Sequence, residues 1–101
     1  MNAYERLLKY VVIRTPSNEE SETTPSSQCQ FDLANVLKKE MEELGICDVT
    51  LTDTCFLYGK IPATPGCENA PAIGFIAHMD TVSDFCDHAV TPVVTEDYDG
   101  R

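Results

Sequence analysis

No stretch of this sequence approaches the roughly 20 consecutive apolar residues of a membrane-spanning helix. Its first 15 residues, MNAYERLLKYVVIRT, carry an early acid and no apolar run of the signal-peptide kind. A cytoplasmic location, with no membrane partner, is therefore expected. Basic residues are also scarce: seven Lys and Arg stand against seventeen Asp and Glu, for a formal charge of −10. Such a surface repels phosphate backbones and has no basic stripe to offset it, which argues against nucleic acid as a partner. It favours metal cations and ligands with a free amino group. The five cysteines, at 29, 47, 55, 67 and 86, are widely spaced, odd in number and form no C-x-x-C. That pattern indicates neither a disulfide framework nor a cysteine zinc knuckle, and reduced thiols are expected. Cys86 has no evident base to activate it.

What is present suits one small domain of 101 residues. Asn2 and Glu5 have capping-box spacing, and Tyr4, Leu7, Leu8, Val11 and Val12 form an apolar stripe, so the chain should open with a helix that Pro16 ends. Thr15 to Ser27, rich in Ser, Thr, Glu and Pro, reads as a solvated loop. Ser27 and Gln30 then have capping-box spacing for a second helix. Its core face is Phe31, Ala34, Leu37, Met41 and Leu44, its polar side holds Lys38, Lys39, Glu40, Glu42 and Glu43, and Gly45 closes it. After it the period changes. Asp48 to Thr54 alternates like a half-wet strand, Cys55 to Pro62 suits a second strand joined by a tight turn, and Ala63 to Pro71 is a loop. A short strand at Pro92 to Thr95 is the only element suggested near the C-terminus.

The stretch AIGFIAHMDTVSD, Ala72 to Asp84, carries the chemistry. An uninterrupted apolar strand is characteristic of a parallel or mixed sheet covered on both faces, and such sheets bind ligands beyond the carboxyl ends of their strands. The expected class is α/β: two N-terminal helices followed by a parallel or mixed sheet. His78 and Asp80 sit at the strand's end, two apart and so on one side of an extended chain. A neutral imidazole is a good zinc ligand, and a neighbouring carboxylate can orient it, although the same pair can also cap a strand. One histidine and one aspartate do not complete a zinc sphere, which takes about three protein ligands even in a catalytic site. The other histidine, His88, lies beside Asp84 and Asp87 in a stretch with no regular element to fix their geometry, and reads as ordinary loop.

The segment IGFIAHMDT preceded by APA resembles the first metal motif of the peptidase T family, tripeptide aminopeptidases of the dizinc group that includes aminoacylase and glutamate carboxypeptidase. Upstream, SETTPSSQCQFDLANVLKKEMEELG and DVTLTDTCFLYGKIPAT resemble that family's N-terminal loop, helix and strands, and HMDTVSDF continues in the same way. The resemblance implies that residues 1–101 form the N-terminal portion of the catalytic domain, without the lid or dimerisation domain. It implies that His78 ligates one zinc of a two-zinc centre and that Asp80 is the catalytic-site aspartate orienting it. The remaining ligands and the glutamate general base have no matching positions here, so this chain alone is expected to be inactive. Short peptides with a free N-terminus are the implied substrates, and the full-length enzyme could be a homodimer. Two readings compete: a related dizinc dipeptidase, carboxypeptidase or deacylase, and a non-catalytic acidic α/β interaction module.

Overall fold

The computed structural model describes all residues, 1–101. Helix α1 spans Ala3–Val11, and the Glu5 carboxylate accepts a hydrogen bond from the Asn2 backbone N–H at its start. The helix ends at Val11, five positions before Pro16 and so not because of it. Val11, Val12 and Ile13 are consecutive β-branched residues, which lose rotamer freedom in a helix, and the last turn closes with Ile13 N–H donating to the Tyr10 carbonyl at 2.9 Å.

Helix α2 spans Gln30–Glu43. It starts without the capping box expected at Ser27: the Ser27 carbonyl, rather than its hydroxyl, accepts the Gln30 N–H at 3.2 Å. The Gln30 side chain instead reaches the Ser26 hydroxyl at 3.3 Å. Its C-terminus is as expected. Gly45 adopts φ 78°, its N–H donates to the Glu42 carbonyl at 3.0 Å, and Ile46 N–H donates to the Met41 carbonyl at 3.0 Å. This pair of bonds is the Schellman closure, for which a residue without Cβ is preferred.

Strands β1 (Cys47–Leu51) and β2 (Leu57–Lys60) form an antiparallel hairpin, with Thr50 opposite Tyr58 and Leu51 opposite Leu57. β1 stops short of the expected Thr54 because Thr52 begins the turn. Its N–H donates to the Phe56 carbonyl at 2.9 Å, and its hydroxyl accepts the Phe56 N–H at 2.9 Å. Between Cys47 and Thr50 the register slips by one residue, with Asp48 at φ 53°, so the hairpin carries a bulge. α2 packs on this hairpin, closely enough that a Cβ at Gly59 would lie 2.4 Å from Met41 Cε and 2.6 Å from Ile46 Cγ2. Leu33, Ala34 and Cys55 make up the buried apolar core.

The sheet differs from the expectation in two ways. It is a two-stranded antiparallel hairpin rather than a parallel or mixed sheet, and Ala72 to Ala77 takes no part in it. Ile73 is 80% exposed and Phe75 94% exposed. A strand apolar on both faces is buried only between two neighbouring strands and two covering layers, and no residues of this chain occupy those places. Pro92 to Thr95 also forms no strand. One contact does fasten the segment's end. Thr81 N–H donates to the Thr15 carbonyl at 2.9 Å, and Ser17 N–H donates to the Thr81 carbonyl at 2.8 Å, a parallel bridge at Pro16 and Thr81. The loop after α1 is thus anchored at one point, with Thr15 buried. No helix is long and apolar enough to cross a membrane.

Candidate functional site

His78 and Asp80 lie just before the Thr81 anchor, and the structure brings their side chains together as their spacing suggested. His78 Nδ1 is 3.1 Å from Asp80 Oδ1 and 2.8 Å from the Asp80 carbonyl oxygen. Both partners are acceptors, so Nδ1 must carry the proton. In the neutral ring this leaves the lone pair on Nε2, with the ring held in that tautomer by Asp80. The His78 side chain is 84% exposed, so Nε2 is open to an incoming group.

This pair matches one part of a zinc site: a nitrogen donor whose other ring nitrogen is tied to a carboxylate. The set is incomplete. Nowhere in the chain do three His, Cys, Asp or Glu side chains converge in a way that could hold a metal ion, and a zinc centre needs about three protein ligands. These 101 residues therefore supply a donor and its orienter, not a metal centre.

A second histidine–aspartate contact joins His88 Nδ1 to Asp87 Oδ1 at 2.9 Å. The His88 hydrogen bond, more than any other contact, holds the Asp87 carboxyl below the usual range. Arg14 Nε donates to the Asp87 carbonyl at 2.5 Å, and Val90 N–H donates to the Val11 carbonyl at 3.0 Å, so this loop is tied back to the end of α1. Cys86 donates its thiol hydrogen to the His88 carbonyl. All five cysteines are free, and burial raises the Cys55 thiol.

The surroundings of His78 and Asp80 were not foreseen. Together with Leu7, Tyr10 and Val11 of α1 and with His88, they line a cavity of about 390 Å³. On the other side, Phe75 to Asp80 face Thr54 to Tyr58 across a cavity of about 710 Å³. α1 is held in this position by a carboxylate that the sequence pattern left on the polar side of α2. Glu40 is only 8% exposed. It accepts hydrogen bonds from Arg6 Nη1 at 3.0 Å, from Lys9 Nζ at 2.5 Å and from the Tyr10 hydroxyl. Lys9 first, then Tyr10, hold its carboxyl down at about 2, while burial raises the Tyr10 phenol. The sequence carries a trace of this in the spacing of Arg6, Lys9 and Tyr10, which puts three donors on one face of α1, and in Glu40 itself, three residues after Leu37 and four before Leu44.

No protein-family model matches the chain. Comparison with curated proteins finds its similarity among peptidases. The particular protein it resembles is peptidase T, as its motifs suggested. It is 48% identical over 97 residues, 96% of its length, to Peptidase T of Desulfitobacterium hafniense strain Y51. It is 43% identical over 101 residues to Peptidase T of Alkaliphilus oremlandii, and 44% identical over 97 residues to that of Bacillus licheniformis. The chain spans about a quarter of the length of these relatives, 23%, 25% and 23% respectively.

Proposed function

We propose that this chain contributes the first metal-binding element of a zinc-dependent aminopeptidase that releases the N-terminal residue from tripeptides. The contact between His78 Nδ1 and Asp80 Oδ1 carries this reading, because it leaves Nε2 aimed outward as a donor. The similarity to peptidase T over 96% of the chain supplies its context. Residues 1–101 would be the N-terminal portion of the catalytic domain, and the remaining ligands and general base would come from sequence beyond these residues.

In this reading His78 binds zinc through Nε2, and Asp80 fixes the tautomer and raises the basicity of the ring. Zinc, when bound, polarises a peptide carbonyl and makes a bound water acidic enough to supply hydroxide near neutral pH. The acidic surface, with a formal charge of −10, suits peptides bearing a free amino terminus. A cytoplasmic location and a homodimeric full-length enzyme belong to the same proposal, and this chain alone would be inactive.

The test is zinc content and tripeptide hydrolysis of the full-length protein beside its His78→Ala variant. Zinc uptake with release of the N-terminal residue, both sharply reduced by the substitution, is expected. A metal-free, inactive full-length protein would instead support the acidic interaction module.

A further inference from the structure

Glu40 lies in the last turn of α2 and touches neither His78 nor Asp80, yet three donors from α1 converge on it. Arg6, Lys9 and Tyr10 stand at helical spacings of three and four, so they share one face of α1. Leu7, Tyr10 and Val11 form the adjoining face and line the cavity that also receives His78 and Asp80. Tyr10 belongs to both sets: its hydroxyl donates to Glu40, and the residue lines that cavity. α1 has no fully buried residue of its own, so apolar packing holds it weakly and this carboxylate carries an unusual share of its attachment.

We infer that Glu40 is a positioning residue for the His78–Asp80 site, acting through Tyr10 and the rest of α1. The inference rests on reading His78 and Asp80 as the site, and extends it to the element that sets the site's wall. Replacing Glu40 by Gln removes the negative charge and one of the two acceptor oxygens that Arg6, Lys9 and Tyr10 share, and puts an NH2 donor in its place. α1 then loses its fixed position and the cavity beside His78 opens.

The chain offers a direct readout, because His78 and His88 are its only histidines and both line this cavity. Their imidazole NMR signals are compared in the 101-residue chain, in Glu40→Gln and in Tyr10→Phe, together with amide hydrogen exchange of α1. Ala34→Gly serves as the control, since it weakens α2 in its interior without touching the carboxylate. In Glu40→Gln the α1 amides are expected to exchange about tenfold faster or more, and both imidazole signals should move. Tyr10→Phe, which keeps the ring and loses only the hydroxyl, should move the His78 signal in the same direction by less. The inference is overturned if the imidazole signals stay in place in Tyr10→Phe, or if Ala34→Gly moves them as far as Glu40→Gln does. Neither readout needs zinc or catalysis, so failure here is separable from failure of the peptidase reading.

Discussion

The residue that departs most from expectation is Glu40. Unlike Lys38, Lys39, Glu42 and Glu43, it stands three residues after Leu37 and four before Leu44, so helical periodicity sets it at the edge of the apolar stripe, where a carboxylate is out of place. It is buried because its partners come from α1, a relation that no pattern within α2 can encode. The consequence is a specific acid sensitivity. Its carboxyl is held at about 2 against an ordinary value of 4.5. A depressed carboxyl stabilises the fold above its unfolded value, and that contribution is lost as pH falls from 4.5 through about 2. Urea midpoints measured across this window should fall with pH more steeply in the native chain than in Glu40→Gln. Equal slopes would mean that the carboxylate contributes nothing to folding. His78 and Asp80, by contrast, were legible, since a spacing of two on an extended chain is enough to place both side chains together.

Among the elements, both helices and the hairpin followed from local signals: apolar period, the Asn2 and Glu5 pair, the glycine after α2, and alternation after Gly45. Their ends moved where side chains compete with the backbone, as at Thr52, whose hydroxyl takes the Phe56 N–H and turns the strand early. The contact between hairpin and helix depends on a missing side chain. At Gly59 a Cβ would fall inside the van der Waals distance of both Met41 and the branched, stiff Ile46. Gly59→Ala should therefore destabilise the chain by about 1–3 kcal/mol, the usual cost of overpacking. Chemical denaturation would check this, and an unchanged midpoint would show that the hairpin can lift away from α2 freely.

For the 101 residues as a whole, the parallel or mixed sheet expected around Ala72 to Ala77 is not formed among them. Ala72 to Ala77 has the composition of a strand covered on both faces, but composition states what a segment needs and not whether neighbours supply it. Here nothing flanks it, and Phe75 and Ile76 are exposed. Replacing both by Ser should change stability by no more than about 0.5 kcal/mol, as for other surface positions. The same change should lower binding of an apolar dye, because a contiguous apolar patch is removed. A large loss of stability would show that the segment is packed after all. The bridge at Thr81 then determines where the segment leads. Ser17 and Thr81 lie 64 positions apart, and their hydrogen bonds close a ring that contains α2, the hairpin and the loop from Ala63 to Pro71. The entropy of closing such a ring rises only logarithmically, by about 0.6 kcal/mol for each doubling of its length. The position of His78 and Asp80 is thus set by where the ring is clasped and hardly at all by its circumference, leaving the loop from Ala63 to Pro71 free to lengthen or shorten without moving them.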